Sequence, residues 1–285
     1  MVASHYSAQL NPAELLRRVR AAFPNGALPR QLAGIDQLHI GGIQASQKLL
    51  TNVPQSSAPS YSVLEIGAGL GGLQRLCISQ QPEQSALHYT TLDITPAFSE
   101  LNRGLNRLCQ HSRHGLGEHG NLSVLTGDGQ QLAMANDQFD AVILQHSLLN
   151  MPDPQRCLTE CHRVLKPGGK LILHEVLRGN LQQAITYPVP WASDATNSHL
   201  ISLPALLAQL STAGFTVTSA QDWSAEALVW RQQQSHKEAD TEAMSVKLSP
   251  QMIFGKRFSL MATNLLSNLK HGAIQVHEVI AVTTA

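Results

Sequence analysis

The chain has 285 residues, 43% hydrophobic and 14% charged, with twenty basic side chains balancing twenty acidic ones. Such a composition sustains a large buried core and excludes bulk disorder. A formal charge of zero excludes a chain-wide field of one sign for gathering nucleic acid or an anionic membrane.

Residues 1–10 lack a basic segment followed by an apolar one, so no signal peptide is expected, and no run approaches a membrane span. Cys77, Cys109, Cys157 and Cys161 fall in predicted helices or helix ends. This is the pattern of a reduced cytoplasmic protein without structural disulfides.

In chain order, residues 12–23 form an amphipathic helix with Leu15, Leu16, Val19, Ala22 and Phe23 on one side. Asn11-Pro12 starts it and Pro24-Asn25-Gly26 stops it. The glycine pair Gly41-Gly42 leads into a second helix through Leu50, and the Pro- and Ser-rich stretch Thr51–Ser60 is a linker. It separates a helical cap or substrate lid (1–58) from a core (59–285).

The core alternates: strand 61–66, helix 70–80, strand 87–93, helix 96–109, strand 121–126, strand 139–145, helix 154–165, strand 170–176. Residues 113–120 are a His- and Gly-rich exposed loop. Lys166-Pro-Gly-Gly169 turns into the fifth strand, with glycine where positive φ is needed. Residues 178–203 break the rhythm with Tyr187-Pro-Val-Pro-Trp191, an insert long enough to suggest a functional loop. A helix at 204–213, a strand at 215–220, a helical stretch at 224–244, a short helix from Asn264 and a strand at 273–282 complete the chain. The expected fold is α/β, a doubly wound, mostly parallel sheet of seven strands with a helical cap and a lid insert.

Ligands of such sheets bind outside the carboxyl ends of the strands. The first strand carries Glu65 and breaks into Gly67-Ala-Gly69-Leu-Gly71-Gly72, a turn that lets backbone approach a ligand. The second ends in Asp93, suited to the two hydroxyls of a ribose. The third ends in Gly127-Asp128-Gly129, where an acid can reach an adenine amino group, and the fourth in Gln145-His146-Ser147. The spacing Gly67-x-Gly69-x-x-Gly72 also fits a dinucleotide fingerprint. An acid before the glycines and a second acid after the third strand favour instead a cofactor with an ammonium group and no pyrophosphate.

With Val63-Leu-Glu-Ile-Gly-Ala-Gly-Leu-Gly-Gly72, Leu92-Asp93, Gly127-Asp128, Phe139-Asp-Ala-Val142 and Arg163-Val-Leu-Lys-Pro-Gly-Gly-Lys-Leu171, the chain resembles the class I S-adenosylmethionine-dependent methyltransferases over about 60–220. The resemblance implies a Rossmann-like methyltransferase fold and S-adenosyl-L-methionine as cofactor, released as S-adenosyl-L-homocysteine. It also implies cofactor contacts from Glu65, Gly67, Ala68, Gly69, Gly71, Asp93, Ile94, Gly127, Asp128, Gly129 and Gln145. The flanks Asp36-Gln-Leu-His-Ile-Gly-Gly42, Tyr187-Pro-Val-Pro-Trp-Ala192 and Asn264-Leu-Leu-Ser-Asn-Leu269 resemble the sarcosine/dimethylglycine N-methyltransferase branch. They imply a small-molecule acceptor, with an amine or amino-acid-like nitrogen first. Carbon or oxygen of an apolar, aromatic or prenylated molecule is the alternative, and a non-catalytic cofactor-binding module a third reading. A nicotinamide oxidoreductase is a fourth. A monomer or homodimer is expected, without nucleic-acid partner.

Methyl transfer from a sulfonium is an in-line displacement, so the protein mainly positions the reactants and excludes water. A nucleophile that loses a proton benefits from a base. His146 and His39 are the candidates for catalytic contact; the alternative for His146 is a packed imidazole bonded to backbone, and for His39 a helix N-terminal residue that closes over the cofactor without chemistry. Tyr187 and Trp191 are candidates for an aromatic acceptor wall, against the alternative of a lid anchor, and His199 is a further candidate for substrate contact. Cys157-x-x-x-Cys161-His162 is read as buried helix cysteines, and no metal is expected.

Overall fold

The computed structural model describes residues 10–53, 60–81, 86–110, 121–239 and 248–284. The loop expected at 113–120 and most of the linker at 51–60 lie outside the described residues.

The chain enters through helix α1 (Pro12–Ala22), where Asn11 caps the Glu14 N–H at 3.1 Å. Pro12 sits at the first position, where a missing N–H removes no helical bond. After short turns at Pro29–Leu32 and Ala33–Asp36, Gly41 at φ 87° opens α2 (Gly42–Leu50). There follow β1 (Tyr61–Ile66), α3 (Gly72–Ser79), β2 (Leu87–Asp93), α4 (Pro96–Gln110), β3 (Asn121–Thr126), β4 (Phe139–Gln145) and α5 (Pro154–Val164). Next come β5 (Leu165–Arg178), α6 (Leu203–Thr212), β6 (Phe215–Asp222), α7 (Ser224–Ala239), α8 (Phe258–Lys270) and β7 (Ile274–Thr283).

The strands form one sheet in the order β3-β2-β1-β4-β5-β7-β6. β7 is antiparallel to both its neighbours, and the other pairs are parallel. Strand order reverses between β1 and β4, which places the ligand crevice at their carboxyl ends. This is the doubly wound, seven-stranded, Rossmann-like architecture expected from the alternation.

Helices cover both faces. On one, Leu15, Val19, Leu32 and Leu49 of the N-terminal segment share a core with Val63, Leu73 and Leu101. On the other, Leu158 and Leu206 pack against Leu64, Val142 and Leu171. The insert is pinned to α8 by backbone-to-amide bonds. Thr186 N–H donates to Asn268 Oδ1 at 2.8 Å, Asn268 Nδ2 donates back to Thr186 O at 2.9 Å, and Asn264 Nδ2 donates to Pro188 O at 2.9 Å.

Three of the boundaries that differ from expectation have a visible cause. The first core helix begins at Gly72 rather than residue 70, because Gly71 caps it in the left-handed region at φ 78°. The stretch Lys166–Gly169 belongs to β5, which starts at Leu165 with a register shift and Gly168 at φ 72°. The helix expected from Asn264 starts at Phe258, since Phe258, Met261, Ala262, Leu265 and Leu269 form one buried stripe at helical spacing.

Cys77, Cys109, Cys157 and Cys161 are buried free thiols, each inside a helix. His162, which follows Cys161, packs its ring edge against Phe215 at 5.2 Å. Among the described residues no group of three or more ligating side chains is placed to hold a metal ion. Among them, too, no helix is long and apolar enough to cross a membrane.

Candidate active site

A cavity of about 390 Å³ opens at the crevice between β1 and β4. Its floor is the glycine turn. Gly67, Gly69 and Gly71 all lie at positive φ (75°, 54° and 78°). A Cβ on Gly67 would stand 2.3 Å from Ser147 Cβ, whereas one on Gly69 would meet nothing within 4 Å. Position 67 therefore needs glycine for both space and backbone, and position 69 for backbone alone. Ala68 also lines the cavity.

Acids mark three strand ends. Glu65 is buried, accepts the Tyr89 hydroxyl at 3.1 Å, and is pushed up to about 8 by burial. Asp93 accepts the Gly69 N–H on one oxygen and the Thr95 N–H on the other, each at 2.8 Å. That leaves its carboxylate fixed in direction with further lone pairs free to accept. Burial raises its pKa also. Asp128 accepts the Gln130 N–H at 2.8 Å, and Ile94, Gly127 and Gly129 line the same side.

The opposite side is built around imidazoles. His146 sits just past β4 at φ 53°, an unusual backbone for a non-glycine residue and one that collects at functional sites. The conformation is held from β5. His146 N–H donates to His174 O at 2.9 Å, and the Ser147 and Leu148 N–H groups donate to Glu175 Oε1 at 2.9 and 3.0 Å. Burial pushes Glu175 up to about 7. The rings of His146 and His174 stack at 5.0 Å, and His39 meets them edge-on at 5.8 and 6.4 Å. Burial drives all three toward the neutral form: His39 falls to about 4 and His174 to about 3, and His146, which also faces His174 and His39, falls well below its ordinary value. Gln145 Nε2 and His146 Nε2 are buried without a hydrogen-bond partner among the described residues, both on cavity-lining residues.

The cap closes this side. Arg75 of α3 is completely buried and pairs with Asp36 at 2.8 Å. It also donates to Asn102, Asn106 and the Leu70 carbonyl. Asp36 O lies so close to Gly72 that a Cβ there would stand 2.3 Å from it. The segment Asp36–His39 is thus locked over the glycine turn.

Ten of the eleven residues expected at the cofactor line the cavity, and so do His39, His146 and Trp191; Gly71 does not, because it caps α3 and a Cβ there would meet Asn102 at 2.2 Å. Trp191 donates Nε1–H to Ser198 Oγ at 3.1 Å. Tyr187 and His199 do not line it: Tyr187 packs into the apolar cluster beneath the insert, and His199 N–H holds the Leu149 carbonyl at 3.1 Å. They sit one layer back because the insert turns its Pro190-Trp191 end inward. Sequence reasoning missed His174, Glu175, Arg75, Leu38, Asn150 and Phe254. The polar pair His174-Glu175 inside the apolar run Leu171–Leu177 was a readable signal, as was Arg75 on an otherwise apolar helix face.

Residues 64–173 match the family model of a methyltransferase domain. The matched segment runs from β1 to β5. Among its relatives, the ubiquinone/menaquinone biosynthesis C-methyltransferase UbiE of Vibrio parahaemolyticus is 28% identical over 167 residues, which span 59% of this chain and 59% of that one. The match thus covers about three-fifths of that relative's length. The fold is shared with the [4+2]-cyclase SpnF (TM-score 0.64, 19% identity, covering 95% of this chain and 93% of that one). It is shared also with a sarcosine dimethylglycine methyltransferase-type protein of Galdieria sulphuraria (TM-score 0.62, 16% identity, 85% of each chain). The domain's glycine turn and strand-end acids are the ones that floor the cavity.

Proposed function

We propose that this chain transfers a methyl group from S-adenosylmethionine to a small-molecule acceptor that enters without negative charge. The residues fit the donor. The open side of Gly69 leaves backbone exposed to a ligand, Asp93 is aimed to accept two ribose hydroxyls, and Ile94 offers an apolar flank for a base with Asp128 at its edge. Glu65 is held near neutrality by burial, and an adjacent ammonium group would restore its charge. The bound donor supplies an activated methyl; the chain positions it and keeps water out.

The observation that carries the acceptor class is the lining. On the acceptor side stand Leu38, His39, His146, Leu149, Trp191 and Phe254, and among the described residues no lysine or arginine lines the cavity. With the imidazoles driven neutral, nothing there would compensate a buried phosphate or carboxylate. An amine fits if it enters as the free base, and amino acids fit less well. A carbon or oxygen acceptor is the second reading, favoured by relatives that are named as C-methyltransferases.

The test has two parts. Calorimetric titration should show S-adenosylhomocysteine binding and no comparable binding of a nicotinamide dinucleotide. S-adenosylhomocysteine release is then followed with an alkylamine, a phenol, a hydroquinone, sarcosine and phosphoethanolamine. Turnover of a member without a carboxylate or phosphate at least 100-fold faster than sarcosine and phosphoethanolamine, which carry one, is expected; preference for either of these two overturns the reading.

A further inference from the structure

His39 belongs to the cap, and its ring is held by groups whose donor and acceptor roles can be worked out. Its Nε2 lies 3.0 Å from the Gly42 carbonyl oxygen and 3.1 Å from Ser46 Oγ. A carbonyl oxygen can only accept, so Nε2 carries the proton. The Ser46 hydroxyl has one proton, and its shortest contact, 2.6 Å, is with Gln37 Oε1. With that proton spent on Gln37, Ser46 Oγ receives the Nε2–H as a second acceptor. The longer contact from Ser46 Oγ to Gln145 Oε1, at 3.3 Å, ties the same hydroxyl to the end of β4. Ser46 is completely buried and Gln37 nearly so, so neither competes with bulk water for these bonds.

The neutral ring is therefore the Nε2–H tautomer, and its lone pair sits on Nδ1. No hydrogen bond from another described residue engages that nitrogen, and His39 lines the cavity. By contrast, the partnerless Nε2 of His146 is buried, and the His146 ring is stacked on His174.

We propose that His39 is the proton acceptor of the transfer and that Ser46 and Gln37 are its positioning residues. The inference rests on the methyl-transfer reading above. As the acceptor atom bonds to the methyl carbon, the carbon–sulfur bond breaks and its electron pair stays on sulfur, giving the neutral thioether. The proton lost by the acceptor passes to Nδ1 of His39 and leaves from there to solvent. Ser46 and Gln37 touch no reacting atom; they keep the lone pair on Nδ1 of a ring that lines the cavity, as an orienting partner does for any catalytic imidazole.

Nitrogen-15 spectra of histidine-labelled protein test the tautomer without turnover, with the His39 signals identified by their loss in His39→Gln. Nδ1 is expected in the range of an unprotonated imidazole nitrogen and Nε2 in that of a protonated one. The reverse assignment overturns the inference even if methyl transfer is active. With the fastest acceptor of the panel that lacks a carboxylate or phosphate, His39→Gln should lower kcat by about 100-fold or more. Ser46→Ala should lower kcat about tenfold, with KM and S-adenosylhomocysteine affinity changed less than twofold, while Ser46→Thr keeps most of the rate. An unchanged kcat in Ser46→Ala, or a loss confined to KM, removes the positioning role. If S-adenosylhomocysteine binds but no acceptor turns over, the methyl-transfer reading falls and His39's role as proton acceptor falls with it.

Discussion

The two halves of the cavity are built in opposite ways. The half at the glycine turn comes from consecutive strand ends, with Glu65, Gly67, Asp93 and Asp128 placed by backbone geometry close to them in sequence. The half across from it draws Leu38 and His39 from the cap, Leu149 from the turn after β4, Trp191 from the insert and Phe254 from the segment before α8. A strand-turn-helix motif forms a site from a few neighbouring residues. The opposite wall exists only when distant segments pack correctly, so it can change its acceptor without disturbing the floor.

The largest effect should come where the halves are joined. Asp36→Ala leaves Arg75 as an uncompensated buried cation and should cost about 3–5 kcal/mol; urea unfolding would measure it, and a loss below 1 kcal/mol would mean the cap is not tied to the floor through this pair. Next is Gly67→Ala, which combines left-handed strain of roughly 1–3 kcal/mol with a clash at Ser147. It should abolish S-adenosylhomocysteine binding in calorimetry while leaving circular dichroism native.

Glu65 connects the floor to pH. Because burial raises its pKa from 4.5 to about 8, the folded chain keeps a proton that the unfolded chain releases. Stability from this group is complete below about 4.5 and is lost as pH rises toward about 8. Glu65→Gln should flatten that slope in unfolding measured across pH. It should also weaken S-adenosylhomocysteine about 10- to 100-fold, as expected for a hydrogen bond to a charged group worth roughly 1.5–3 kcal/mol.

Trp191→Leu acts on the other wall alone. It should raise KM for the acceptor several-fold and leave S-adenosylhomocysteine affinity within twofold; an equal loss in both would mean the halves are not separable. The smallest effect is expected at Leu260, which is 55% exposed on α8. Leu260→Ser should move stability by no more than about 0.5 kcal/mol.

The residues alone carried the alternation of strands and helices, the glycine turn and the three strand-end acids, because these are periodic or local. Every expected cofactor contact but Gly71 lines the cavity for that reason: each sits on or beside a strand end that the topology brings to one crevice. The same local logic placed His146 there too. Residues whose role depends on burial read differently. Arg75 stands out on an apolar helix face, but only packing shows that Asp36, Asn102 and Asn106 close around it. Tyr187 and His199 look like a substrate wall until the insert's pinning to α8 turns Trp191 inward in their place. What His174 and Glu175 do inside an apolar strand is visible only once the turn after β4 packs on them, one stacking on the His146 imidazole and the other receiving two N–H groups. Local sequence specifies backbone shape within a few residues. The tautomer of His39 and the neutrality of the wall around it depend on contacts made across the whole chain, and packing alone supplies those.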